Sequence, residues 1–138
     1  MTVYFTDRDL GKRFPEILRA GVLTVERHGD HFAHDTPDDA WLEEVGNRGW
    51  IALTHDRRIR YKPNERDAVI RHGVPLLVVV GAAPFQDLAE AFVTTLPRVE
   101  EFLAGHKPPF IAKVYRPTPG ETAKDRNAPG RVELWYPR

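Results

Sequence analysis

The chain has 138 residues and a mass of 15.8 kDa, enough for one domain with one core and too little for two. Hydrophobic residues make up 41% and charged residues 29%, which excludes wholesale disorder, and the absence of Cys removes disulfide scaffolds, thiolate zinc sites and Cys nucleophiles. Lys plus Arg and Asp plus Glu each number 20, so a polybasic arm is excluded, although the zero sum hides strong local asymmetry.

Residues 3–6 form a short β-branched and aromatic run that stops at Asp7-Arg8-Asp9. Leu10, Phe14, Ile17 and Leu18 then recur at helical spacing, with Pro15 in the first turn and Gly21 at the end. Residues 22–25 read as a second strand. Thr36 as N-cap, Pro37 at the first helical position, and Asp38 and Asp39 at the positive end of the dipole predict the next helix. Trp41, Leu42 and Val45 are its buried stripe, and residues 46–49 close it. Residues 50–54 form a third strand, almost wholly apolar, as for a strand covered on both faces. A helix over 64–72, closed by Gly73, leads to a fourth strand over 75–80.

A longer helix is predicted over 84–104, kinked or split at Pro97. Beyond Pro108-Pro109, residues 110–115 and 132–136 read as edge strands. They are joined by a Pro/Gly-rich turn region over 117–130 that is expected to be mobile. The fold class is therefore α/β, with right-handed βαβ units building a mostly parallel sheet of four to five strands flanked by helices. The division expected is a domain over 1–107 and a C-terminal extension over 108–138, packed as edge strands on the same domain. The longest apolar run, residues 74–83, is too short for a bilayer and nothing at the start resembles a targeting leader, so a cytoplasmic location is expected.

Ligands of parallel α/β sheets sit beyond the carboxyl ends of the strands. Asp7 and Asp9 leave the first strand, His28 and Asp30 the second, and Thr54-His55-Asp56 the third, while Asp38 and Asp39 open a helix at the same edge. Crowded carboxylates repel one another unless a cation neutralises them. Mg²⁺, with Mn²⁺ as an alternative, suits such oxygen ligands. Asp7, Asp38 and Asp56 are the first candidates for catalysis and metal binding. Asp9 joins them as a direct or water-mediated ligand or as a helix cap, whereas Asp39 and Glu43 read as solvated helix-face charges.

Six carboxylates and no Lys or Arg fall between His28 and Glu44, and five basic residues against one Glu fall between Arg57 and Arg66. An acidic pit edged by positive charge is what a metal site needs when it must also attract a polyanion. Arg57, Arg58, Arg60 and Lys62 are the candidate residues for contacting the phosphates of a nucleic acid, and Tyr61 a candidate stacking platform for an unpaired base. His28, His31 and His34 recur every three residues beside Asp30 and Asp35. They are weighed as a metal site and, more simply, as a mobile loop over the active site.

The segments "VYFTDRDLGKRFPEILRAG", "DTPDDAWLEEVGNRGWIALTHDRRIR" and "HGVPLLVV" resemble the PIN-like domains, in particular the branch of VapC-type toxins of toxin–antitoxin pairs, over about residues 3–105. The resemblance implies a three-layer PIN-like fold and a Mg²⁺- or Mn²⁺-dependent endoribonuclease restrained by a cognate antitoxin, often as a homodimer, with no membrane association. It assigns the family's strand-ending Asp to Asp7, the acidic residue opening the second helix to Asp38, the "T-x-D" acid to Asp56, and the supporting hydroxyl to Thr54. The chain departs from the pattern by lacking a mid-chain Glu, by carrying Asp9 where an amide is common, and by offering only Asp87 after the fourth strand. Two alternatives stay open: a catalytically inactive PIN-like module that binds RNA or protein, and a haloacid-dehalogenase-like phosphatase using Asp7 as nucleophile and Asp9 as acid/base.

Overall fold

A computed structural model describes residues 1–137. Its centre is one six-stranded sheet in the order β2-β1-β3-β4-β5-β6. The strands are β1 (Val3–Thr6), β2 (Thr24–Arg27), β3 (Ile51–Thr54), β4 (Pro75–Val79), β5 (Phe110–Tyr115) and β6 (Arg131–Tyr136). The helices are α1 (Arg13–Ala20), α2 (His28–His31), α3 (Asp38–Arg48), α4 (Pro63–Arg71), α5 (Phe85–Gly105) and α6 (Pro119–Lys124), with 3₁₀ turns at Arg8–Leu10 and Ile59–Tyr61. Strands β1 to β5 are parallel and β6 runs antiparallel to β5. The expected α/β class holds, and the sheet is wider than four to five strands because both late strands join it.

Side chains alternate across the sheet, as a two-residue period demands. Tyr4, Leu53, Leu77, Val79, Ala112 and Val114 face α1 and α5 in one core. Phe5, Ala52, Leu76, Val78 and Ile111 face α3 and α4 in the other. Phe5 stacks between Trp41 and Trp50, at 5.4 and 6.0 Å between ring centroids. Two helical layers therefore sandwich the sheet, and β3 and β4 are apolar along their lengths because both faces are covered.

Several boundaries differ from expectation. Strand β2 starts at Thr24, not at 22, because the turn of α1 continues: Val22 N–H donates to the Arg19 carbonyl and Leu23 N–H to that of Leu18. Helix α3 starts at Asp38, with Pro37 in the cap position and no side-chain cap from Thr36. It also runs through Gly46 to Arg48 and ends at Gly49, whose φ of 69° is left-handed. Helix α5 is unbroken over 21 residues with Pro97 inside it, so it is not split. Strand β5 lies inside the sheet, not at its edge, and the 117–130 region holds a helix, α6. That helix opens with a capping box in which the Thr118 hydroxyl takes the Glu121 N–H and the Glu121 carboxylate takes the Thr118 N–H.

Parallel pairing aligns the strand exits. Thr6 pairs with Arg27 on one side and with Leu53 on the other, and Thr54 pairs with Val78. The carboxyl ends of β1, β2, β3 and β4 thus form one rim.

Candidate active site

Asp7 follows the last residue of β1, and its N–H donates to the Leu53 carbonyl at 2.9 Å, which fixes the exit of β1 against β3. Its side chain caps the first 3₁₀ turn, Oδ1 accepting from the Arg8 N–H at 2.7 Å. Asp9 lies within that turn, and its carboxylate accepts from the His55 N–H at 3.1 and 3.2 Å. The buried Thr54 hydroxyl is 3.0 Å from Asp7 Oδ2 and 3.0 Å from Asp9 Oδ2. A hydroxyl has one proton, so it satisfies one of these oxygens at a time. Thr54 Oγ1 also accepts from the Asp56 N–H at 3.2 Å. One threonine thereby touches the segments carrying three of the expected acids.

These groups open onto a cavity of about 440 Å³, lined by the carboxylates Asp7, Asp9, Asp38 and Asp56 together with Arg8, His55, Arg57, Arg58 and Lys62. Asp38 enters from the first turn of α3, where Oδ1 accepts from Trp41 Nε1 at 2.9 Å. The buried Trp41 ring therefore orients this carboxylate. Asp56 is arranged differently. Its Oδ2 is 2.6 Å from Lys62 Nζ, and its Oδ1 accepts from the Arg58 N–H at 2.9 Å.

The electrostatics follow from this geometry. Burial, the charge of Asp9 and, more weakly, that of Asp38 push Asp7 up to about 7, against the bonds from Thr54 and the Arg8 N–H. Burial raises Asp9 as well, partly offset by the His55 N–H and the Thr54 hydroxyl. Burial also acts upward on Asp56, but Lys62 and the Arg58 N–H outweigh it and hold that carboxyl below its usual value. Among the described residues, Asp7 and Asp9 thus make no ion pair with Lys or Arg, around a hydroxyl that serves only one of them. As all-oxygen donors they fit a hard divalent ion such as Mg²⁺. Among the described residues no three His, Cys, Asp or Glu side chains converge closely enough to hold a metal as they stand. The Lys62 ammonium pairs with Asp56 inside the cavity that both residues line.

All four expected acids and Thr54 therefore meet at one rim. Arg57, Arg58 and Lys62 line the same cavity, but Arg60 does not. Its Nε donates to the Trp135 carbonyl at 3.1 Å, and its guanidinium lies over the rings of Tyr61, Trp135 and Tyr136. Tyr61 is exposed but leans edge-on against Trp135. Asp39 does not point into the cavity; it bridges α3 to Arg71 and His72 at the end of α4. Asp87 lines a different cavity, beside Arg116 and Arg126. The three histidines diverge: His28 is buried, His31 bonds Glu26 at 3.0 Å, and the His34 carbonyl accepts from the Arg8 guanidinium. They form no metal site, and His28 to His31 is a helical turn where a loop was expected.

Two lining residues, Arg8 and His55, are not among the candidates expected from the sequence. Arg8 sits between two acids, and His55 between Thr54 and Asp56. His55 Nδ1 is 2.7 Å from the Val79 carbonyl, which ties the exit of β3 to that of β4. The signal for both is their position inside the acidic motifs Asp7-Arg8-Asp9 and Thr54-His55-Asp56.

Fold and site define a three-layer α/β protein with an acidic cleft at the carboxyl ends of its parallel strands. Residues 2–81, more than half of the chain, match the family model described as a PIN-like domain, and the chain belongs to that family. The PIN-like fold is a nuclease-type fold. No curated protein and no solved structure matches the chain. Among the described residues, no helix is long and apolar enough to cross a membrane.

Proposed function

We propose that this chain is a metal-dependent endoribonuclease, the toxin of a toxin–antitoxin pair, which hydrolyses phosphodiester bonds of RNA. The observation that carries the reading is the meeting of Asp7 and Asp9 on the Thr54 hydroxyl, inside a cavity that also holds Asp38, Asp56 and a basic rim. Asp7 and Asp9 would hold Mg²⁺ or Mn²⁺, with Asp38 and Asp56 facing the same space. When bound, such an ion supplies Lewis acidity toward a phosphate oxygen and toward water.

The chain's own residues do the rest. Thr54 fixes the relative position of the two carboxylates, and the His55 N–H holds Asp9 in place. Arg57, which makes no ion pair among the described residues, and Arg58, whose side chain is 81% exposed, bind the RNA backbone. Lys62 exchanges Asp56 for phosphate when RNA enters, which releases the carboxylate toward the cavity. The resemblance to VapC-type toxins supports a cognate antitoxin as partner, a homodimer as the assembly and the cytoplasm as the place of action.

Purified protein, free of partners, is incubated with total cellular RNA in Mg²⁺, in Mn²⁺ and in EDTA, beside Asp7→Asn. Metal-dependent cuts at discrete positions, absent in the variant, are expected. Equal cutting by Asp7→Asn would move the chemistry to other residues. The Lys62–Asp56 pair favours one second reading, a PIN-like module that binds RNA without cutting it. Retained RNA binding with no cleavage by either form, in either metal, would select that reading.

A further inference from the structure

The sheet face that α3 and α4 cover over β1, β3 and β4 comes into the open on the last two strands. On β4 it carries the fully buried Val78, but the partner of Val78 on β5 is the half-buried Lys113, which pairs in turn with Glu133 on β6. Tyr115 pairs with Arg131 on the same face, nearer the carboxyl end of β5. Cations are laid over rings here. Lys113 Nζ stands 4.1 Å from the centre of the Trp135 ring, and the Arg131 guanidinium 3.9 Å from that of Tyr115.

This face is continuous with the basic rim of the acidic cavity. Tyr61 rests against the same Trp135 indole, edge to face, yet it is 65% exposed, so most of its ring is open to solvent. Its N–H donates to the Arg58 carbonyl at 2.8 Å and Lys62 follows it, and both of those residues line the cavity. The Arg60 guanidinium, 5.8 Å from the Trp135 ring centre, ties the two surfaces together.

Protection of a sheet edge does not account for these charges. Basic side chains on an edge strand block pairing with other chains, which suits Arg131 on β6, but Lys113 lies on β5, inside the sheet. Among the described residues of β5 and β6, Glu133 is the one carboxylate, 3.9 Å from Arg131. A docked protein would look for an apolar stripe, and here Ile111 and Trp135 are buried beneath the charges. Ammonium and guanidinium groups beside an open aromatic ring suit single-stranded nucleic acid, whose phosphates meet the cations while any base stacks on the ring.

We propose that the open face of β5 and β6 is a track for single-stranded RNA leaving the acidic cavity, with Tyr61 stacking on a base just beyond the rim and Lys113 and Arg131 taking phosphates further along. The proposal rests on the ribonuclease reading for its substrate and adds a dependence on strand length that the cavity alone does not impose.

The test reads binding in EDTA, without cleavage. Labelled oligouridines of four and twelve residues are titrated at several salt concentrations into wild-type protein, Tyr61→Ala, Tyr61→Trp and the double variant Lys113→Gln with Arg131→Gln. Melting curves first establish that each variant is folded. The longer strand should bind roughly tenfold more tightly than the shorter one. The double variant should remove most of that advantage, leave the shorter strand unchanged, and flatten the slope of log affinity on log salt by about 1.4, the value for two phosphates. Tyr61→Ala should weaken the longer strand about fivefold or more, and Tyr61→Trp should restore it. Equal affinity of the longer strand for wild type and the folded double variant would overturn the track and leave this face to a protein partner. Length-dependent binding on this face by a protein that cuts no RNA in either metal would keep the track and remove only the catalytic reading.

Discussion

At Asp7, burial, the adjacent Asp9 and the more distant Asp38 act in one direction, and the carboxyl keeps its proton up to about pH 7. The same group in an unfolded chain ionises near 3.8. Across that interval the folded chain holds a proton that the unfolded chain has released, so acid favours folding. The advantage falls away as pH rises toward 7, and above it the ionised Asp7 costs on the order of 4 kcal/mol. Asp56 works the other way: its pKa is lowered, so its contribution is present at neutral pH and lost in acid. Metal-free protein should therefore lose stability between about pH 4 and 7. Asp7→Asn should flatten that slope and raise stability at pH 8 by about 2–4 kcal/mol, read from urea midpoints in EDTA. A residue whose loss both stabilises the fold and stops cleavage is retained for function. An undiminished slope in the variant would transfer the retained proton to Asp9. Arg60 marks the opposite case, because its place in a basic cluster predicted a role that its contacts with Trp135 and Tyr136 redirect to the fold.

Among the elements, β1, β3 and β4 were legible because β-branched and apolar runs end at turn residues, and their acids were legible because strand exits share a rim. What stayed hidden depends on partners distant in sequence. Gly46 reads as the close of α3, yet it lies inside the helix because the end of α4 passes against it. A Cβ at Gly46 would stand 2.1 Å from the His72 carbonyl oxygen, a backbone atom that cannot swing aside. Glycine inside a helix costs about 1 kcal/mol of propensity, and here it is retained for close approach. Gly46→Ala should therefore destabilise the protein by about 2–3 kcal/mol despite the better helix former, measured by urea unfolding. A neutral or stabilising result would mean that α3 and α4 separate at little cost. Val22 misled for a similar reason. A β-branched residue at φ 69° and 92% exposed extends the turn after α1, against every local preference of its type. The Thr118–Glu121 capping box of α6 was present in the sequence but masked by its Pro- and Gly-rich surroundings.

The whole molecule is larger than the stretch that defines its family, since the family match ends at residue 81 while the sheet continues through β5 and β6. Strand β5 is parallel to β4 along its length, and Phe110, Ile111, Ala112 and Val114 are each no more than 3% exposed. Phe110, Ala112 and Val114 pack with α5, and Ile111 packs on the face of α3 and α4, so one strand completes both cores. Strand β6 then reaches back to the cleft. Its Trp135 carbonyl holds Arg60, which lies between two residues of the basic rim, and its Tyr136 ring takes the Arg60 and Arg66 guanidinium groups at 5.8 and 5.2 Å. The C-terminal strands thus support the segment that carries Arg57, Arg58 and Lys62. A chain ending at Lys107 would expose the β4 edge and the flanks of both cores to water. With apolar burial contributing about 25 cal/mol per Å² against a total stability of roughly 5–15 kcal/mol, losing four buried β5 side chains removes more than the fold can spare. The truncated chain should show no cooperative melting transition and poorly dispersed amide NMR signals. A cooperative transition near the full-length midpoint would instead make residues 1–107 self-sufficient, and the last two strands an attachment that tunes the rim.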